Sequence, residues 1–482
     1  MVDNNPLRRE CYGMNFTILL SYLFLLFITS GCLSFKGKDE EVEKIIWYQV
    51  RKEDSKRSVF ENEKSGAREN IENFIEGIKK KGTLSLHDCL ALALAHNERL
   101  KIVGEDYFQA IIDKNKALSM VLPDISLKGQ YFVQETVPGF GGSSFSPKAR
   151  TDYWVSFRQP LFRGLSDIYT LKAAKKRIKS KEYSLFYERT QIFSFVISVF
   201  YELLQLQKKI EILDATVKIR KERLEEMKEK RKLGILRETE VLLVETQLAQ
   251  DEAILEQTRN EMMIAKSLME TLIGIPLDKP LEDMPANGSV RDLPELLNFA
   301  YSHRMDLKSR EIEIEALKDK LKATLGEYLP QISFSNNIYL KRSGYLKEID
   351  WDAAISFELP IFEGWLTKAR IEEDLSTLRQ AKYSYDSLKK QITQEIKSAF
   401  YQLKTTRALI SRLEKEVKLA RKNYDMLKEE YKQNIATHLE LLFAEVNLQT
   451  AKIRLETMKL EEKKAFLKLK IVTGEEIWSD EY

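Results

Sequence analysis

Gln159-Pro160-Leu161-Phe162-Arg163-Gly164 returns 200 residues later as Leu359-Pro360-Ile361-Phe362-Glu363-Gly364. The match spreads outward from there. Tyr183 recurs as Tyr383, Phe200-Tyr201 as Phe400-Tyr401, Glu240 as Glu440, and Gly274 as Gly474. Upstream the offset becomes 207, so that Leu86 answers Leu293, Ala93 Ala300, His96 His303 and Pro123 Pro330. The seven-residue difference falls between those prolines and the Pro-x-Phe-x-Gly motifs. Insertions settle where backbone is exposed and unpacked. Each half therefore reads as a fixed helical body with a variable loop, and the chain as one fold written twice.

The period of the apolar residues assigns the elements. Residues 83–122 read as a helix interrupted only at Gly104 and ended by Pro123. Ile125, Leu127, Gly129, Tyr131 and Val133 then alternate with polar neighbours, as in a strand with one apolar face. A Gly/Ser/Pro loop at 137–150 leads to a second strand (Tyr153, Val155, Phe157) that Pro160 ends. The second half repeats the pattern within 331–358. Neither Gly nor Pro occurs over Leu165–Leu233 or Trp365–Asn434. At ~1.5 Å per residue these are helices of about 100 Å. Their apolar series, Val196, Val199, Leu203, Leu206, Ile210, Leu213, Val217 and Ile396, Ala399, Leu403, Thr406, Ile410, Leu413, Val417, step by three and four like a coiled-coil seam. Short turns at 233–235 and 433–435 lead into return helices of half that length. Two half-length helices, end to end, line one long helix in each repeat.

The expected organisation is a leader at 1–32, a charged extension at 33–82, repeat 1 at 83–285, repeat 2 at 286–475 and a tail at 476–482. Repeat 1 holds a strand pair at 124–159, a long helix at 165–232 and a return helix at 237–273. Repeat 2 holds their counterparts at 331–358, 365–432 and 437–473. In the leader, Arg8 and Arg9 precede an apolar run, Phe16–Ile28, which is short for a membrane span, and then Thr29-Ser30-Gly31-Cys32. Small residues before a cysteine resemble a lipoprotein cleavage site, with Cys32 as the acylated residue. Ordinary signal cleavage or an uncut anchor are the other readings, and all three imply export.

Composition narrows the function. Charged residues make up 31% of the chain and hydrophobic ones 43%, with a net charge of +3 and interspersed signs. That suits long helices with solvated faces, and the lack of a basic stripe argues against nucleic acid. Three cysteines, Cys11, Cys32 and Cys89, make no disulfide framework. The histidines (His87, His96, His303, His438) lack metal-ligand spacing, no phosphate-binding Gly loop or nucleophile elbow appears, and no cofactor is expected. The chain reads as a non-enzyme.

Strands of about 10 residues suit a tilted bilayer crossing. Lipid does not tolerate open sheet edges, so four strands must close with strands of other copies. The competing reading is a lipid-anchored periplasmic coiled-coil scaffold without a channel.

These features resemble the TolC-like outer-membrane factor family. The resemblance is carried by Leu84-Ser85-Leu86 with Leu90-Ala91-Leu92-Ala93 and Asn97, by the paired Pro-x-Phe-x-Gly motifs, and by the turns followed by Glu240-Val241-Leu242 and Glu440-Leu441-Leu442. It implies a homotrimer with a twelve-stranded barrel in outer-membrane lipid and a periplasmic α-helical tunnel. It also implies a passive exit duct for efflux or type I secretion, docked to a periplasmic adaptor (membrane fusion) protein and an inner-membrane transporter. The family's tunnel closes near the turns, often with Asp-x-x-Asp. Here Glu440 and Phe443 stand at those positions, one acidic and one apolar, with Glu445 and Glu240 as further gate candidates. A ring of three Glu440 carboxylates would favour cations. The tips expected to meet the adaptor are Leu233, Gly234, Ile235, Gln433, Asn434 and Ile435.

Overall fold

The computed structural model describes residues 82–133, 149–283, 288–343, 346–433 and 435–475, together with Gly77 and Pro285. Cys32, the leader, the charged extension, most of the first hairpin loop, Asn434 and the C-terminal tail lie outside the described residues. The body from Ile78 onward forms one unit.

Its elements run in the order α1 (Leu86–His96), α2 (Glu98–Ser119), β1 (Asp124–Val133), β2 (Ala149–Arg163), α3 (Ser166–Lys232), α4 (Glu238–Ile273), α5 (Leu293–His303), α6 (Met305–Leu325), β3 (Gln331–Lys341), β4 (Trp351–Glu358), α7 (Leu366–Lys432) and α8 (His438–Thr473). Both long helices have 67 residues and both return helices 36. In the first repeat α3 is lined by α1 and α2 along one part and by α4 along another, and α7 is lined likewise by α5, α6 and α8.

The leading helix breaks at Asn97, not at Gly104. Asn97 is extended (φ −72°, ψ 117°) and its side-chain oxygen accepts from Leu100 N–H at 3.3 Å, so it starts a second helix as an N-cap. Arg304, its counterpart, breaks the second leading helix the same way (φ −62°, ψ 126°). Ser85 and Asp88 form a capping box at the start of α1. The short parallel bridge Leu84–Leu281 ties that start to the linker after α4.

The strand ending expected at Pro160 also moves. β2 continues to Arg163, because β3 supplies partners as far as Arg163–Gln331. The register shifts between Pro160 and Phe162, which is where a residue without an N–H can sit in a sheet.

The heptad seams pack as spaced. Leu213, Val217, Leu224 and Met227 of α3 face Val241, Val244, Leu248 and Leu255 of α4, all buried. In the second repeat Ile396, Ala399, Leu403 and Thr406 are buried, whereas Ile410, Leu413 and Val417 are only partly covered. Among the described residues no helix is long and apolar enough to cross a membrane. That leaves the sheet as the element to examine against lipid.

Candidate functional site: an open sheet and two helical tips

The four strands form one antiparallel sheet in the order β1-β2-β3-β4. Residues directly opposite in neighbouring strands share a face. Ile125 lies opposite Phe157 and Leu127 opposite Val155. Val155 is in turn opposite Ile338, and Ile338 opposite Trp351. This face also carries Tyr131, Val133, Phe334, Ile355 and Phe357. It is apolar and stands open, with Leu127 72% and Ile355 71% exposed. Phe157 and Phe334 meet edge to face at 6.2 Å across the β2–β3 seam.

The opposite face carries most of the polar residues, Lys128, Asp152, Arg158, Asn337, Asp352 and Glu358 among them, with Phe132, Trp154 and Tyr339 beside them. It is cross-linked by hydrogen bonds. Asn337 Nδ2 donates to Asp352 Oδ1 and Tyr339 OH to Asp352 Oδ2, each at 2.8 Å. The Arg342 guanidinium lies 4.0 Å from the Tyr339 ring centre. One oily face, one wet face and two unpaired outer strands are what a segment of a closed membrane barrel presents.

At the other end of the long helices lie the tips. Gly234 has φ +73°, and Ile235 N–H donates to Lys230 O at 3.0 Å, closing α3 as a glycine C-cap does. Ile435 N–H donates to Glu430 O at 2.9 Å at the second tip. Leu233, Ile235 and Ile435 are exposed, as is Gln433.

The gate candidates separate into three environments. Glu440 caps its own helix: its Oε2 accepts from the Thr437 N–H and hydroxyl, both at 2.7 Å, while Glu440 N–H donates to Thr437 Oγ1 at 3.3 Å. Those bonds hold its carboxyl below the usual carboxylate range, so it is charged at neutral pH. Phe443, one turn on, is 61% exposed. Glu240 is half-buried at the equivalent place in α4. Glu445 is buried and ion-paired with Arg223 of α3, so its charge is neutralised within the subunit and is not free to face a lumen.

Two features of the tips were invisible to motif reading. Arg220 sits in the α3 seam and Asp251 in the α4 seam, both almost fully buried, with Nε and Oδ2 2.7 Å apart. The second repeat carries Ala420 and Ala451 at these positions. His438 opens α8 and is buried, its ring edge-on to Tyr431 at 5.7 Å. Burial first, then the Arg223, Arg220 and Lys230 charges, lower its pKa to about 4. A heptad reading marks charged seam positions as interruptions, but it does not say which partner lies across the seam.

Burial, and then the Asp88 carboxylate, push the Cys89 thiol up to about 12, which leaves it unreactive. His96 and His303 both end helices, the former with Nδ1 3.1 Å from Leu92 O. Among the described residues no group of His, Cys, Asp or Glu could hold a metal ion.

Comparison with known proteins places this geometry. Residues 296–475 match the outer membrane efflux protein family model. Outer membrane efflux protein BepC of Brucella suis biovar 1 (strain 1330) is 21% identical over 309 residues, 62% of this chain and 67% of BepC. The outer membrane protein VceC of Vibrio cholerae superposes with a TM-score of 0.73 at 17% identity, covering 82% of this chain and 97% of VceC. The Campylobacter jejuni CmeC outer membrane channel gives 0.71 at 18% identity, covering 81% and 85%. The likeness to these solved structures establishes the fold.

Proposed function

We propose, on the premise that this chain is a member of the outer membrane efflux protein family, that three copies close into a twelve-stranded barrel in the bacterial outer membrane. The barrel and the long helices together make a passive exit duct, with the helices reaching through the periplasm. The observation that carries this reading is the sheet: four strands, two open edges, one apolar face and one polar face. An eight-stranded barrel is filled by its own side chains, whereas twelve strands leave a lumen. A coiled-coil scaffold held only by a lipid at Cys32 has no use for an exposed face of Leu127, Tyr131, Trp351, Ile355 and Phe357.

The duct does no chemistry of its own. It serves efflux or type I secretion by docking a periplasmic adaptor and, through it, an inner-membrane transporter. The exposed Leu233, Ile235, Gln433 and Ile435 at the tips are the adaptor contact. The gate is assigned to Glu440 and Phe443, an exposed carboxylate and an exposed ring one helical turn apart on α8. In a trimer they form an acidic ring beside an apolar one, which favours cations and narrows the pore.

The test is electrical. Detergent-purified protein added to planar lipid bilayers should give discrete conductance steps with cation preference, and Glu440→Gln should weaken that preference. Protein that binds the membrane through Cys32 but never conducts would support the scaffold instead.

A further inference from the structure

The two hairpins share one register. Adding 207 to each β1 number and 200 to each β2 number converts eight of the ten β1–β2 pairs into the eight β3–β4 pairs. Asp124 opposite Arg158 becomes Gln331 opposite Glu358, and Tyr131 opposite Thr151 becomes Ile338 opposite Trp351. The corners repeat as well, with φ of 60° and 61° at Gly164 and Gly364, and 63° and 67° at Leu165 and Trp365. The seam between β2 and β3 is the joint that the chain makes once. Its counterpart would join β4 to the equivalent of β3, which is β1, and this chain's own β1 lies at the far edge of the sheet.

The molecule carries the marks of that missing joint. The β1–β2 ladder ends at Asp124–Arg158, so the last residues of β2 have only β3 as a ladder partner, through Arg163–Gln331, with the Gln159 and Arg163 side chains also donating to Val121 O and Met120 O. β4 has no such neighbour and stops at Glu358, five residues before the position equivalent to Arg163. The segment left out of the strand, Leu359–Glu363, includes Ile361 at 93% and Phe362 at 73% exposure. The corner tells the same story. A Cβ at Gly164 would come within 1.9 Å of Gly326 O across the β2–β3 joint, whereas one at Gly364 would meet nothing within 4 Å.

We infer that β4 of one subunit pairs with β1 of a second copy in the register set by the repeat, and that Leu359–Glu363 becomes strand only when that copy arrives. The inference rests on the barrel reading and adds the pairing, residue by residue. Ser356 lies opposite Gln130, Ile355 opposite Tyr131, Glu358 opposite Lys128, and Leu359 opposite Leu127. The chemistry agrees on both faces. Ile355 with Tyr131 and Leu359 with Leu127 extend the apolar face, while Ser356 with Gln130 and Glu358 with Lys128 extend the polar one. The last pair brings opposite charges together. A slip of one residue would set Glu358 opposite Leu127 or Gly129, the polar face of one strand against the apolar face of the other. Ser119 stands where Gly326 does, so the joint between subunits is wider at the corner than the joint within one.

The register is read by cysteine cross-linking of the full chain in outer membranes. Gln130→Cys combined with Ser356→Cys should give a reducible covalent trimer on mild oxidation. Gln130→Cys with Phe357→Cys, on opposite faces, should not, and single-cysteine variants fix the background from Cys11, Cys32 and Cys89. Cross-linking of the slipped pair alone, or heat-labile trimers that link at neither pair, would overturn the register and leave the barrel standing. Monomers only, with no link at either pair, would overturn both. A second measurement avoids disulfides. Lys128→Glu should lower the temperature at which the trimer falls apart on a gel, and Glu358→Lys added to it should restore that temperature. Lack of restoration counts against the pairing.

Discussion

The Gly164 corner and the Gly364 corner have one backbone and two surroundings. Both hold glycine near φ +60° and a bulky residue after it in the left-handed region. The first is wedged against the Gly326 backbone and Leu329, and the second stands open. The long helices differ in the same sense. Tyr201 of α3 is fully buried, whereas its counterpart Tyr401 of α7 is 55% exposed. α3 has the second repeat to pack against, through α6 and α8, and α7 has no comparable neighbour among the described residues. On α2, Ile102 is 64% exposed where its counterpart Ser309 on α6 is buried and bonded to Ser180 of α3. On the proposed barrel, what the first repeat receives from the second, the second receives from another copy.

The largest test of that contrast is at the corners. Gly164→Ala forces a Cβ into backbone that cannot yield, and should cost about 4 kcal/mol or more, seen as loss of folded protein from the outer membrane. Gly364→Ala meets only the left-handed penalty, about 1–2 kcal/mol, and should leave the folded subunit recoverable. Equal losses would break the comparison.

The helices give the next test. Tyr201→Ala empties a buried ring site and should destabilise the isolated subunit by about 3–5 kcal/mol in denaturant melts. Tyr401→Ala should leave those melts nearly unchanged and lower the heat resistance of the trimer instead. If both act on the subunit alike, Tyr401 is not an assembly residue.

The smallest effect separates the two tips. Glu238 in the first is exposed and paired with Arg231 at 2.8 Å, while its counterpart His438 is buried without a carboxylate partner among the described contacts. Its folded pKa of about 4 lies below the ordinary value of 6.5. On acidification the unfolded chain therefore takes up the proton first. Stability is whole above pH 6.5 and falls as the pH drops toward 4, by about 2 kcal/mol near pH 5. Helical circular dichroism in denaturant at pH 7 and pH 5 measures it, and His438→Leu should remove the difference. A slope that survives this substitution would place the proton elsewhere.

Most of the architecture was legible because it is local and periodic. The seam of α7 stays at least partly covered from Ile396 to Val417, since spacing in threes and fours has one geometric solution in a helix pair. The alternation in β1 and β3 marked the apolar face for the same reason. The break at Asn97 was missed because an N-cap inside a helical pattern looks like one more polar residue, and Gly104 drew the attention instead. The extension of β2 past Pro160 was missed because a neighbouring strand, not the residues themselves, decides it. The tips were the least legible. Glu445 reads as a further gate candidate, and only the packing of α8 against α3 brings it to Arg223.

Three-dimensional reconstruction of the lipid-embedded assembly by single-particle cryo-microscopy tests the account most directly. It should show a threefold ring of twelve strands with Leu359–Glu363 added to β4 and Lys128 beside Glu358 of the adjoining subunit. A four-stranded sheet with both margins still free in the membrane would contradict it.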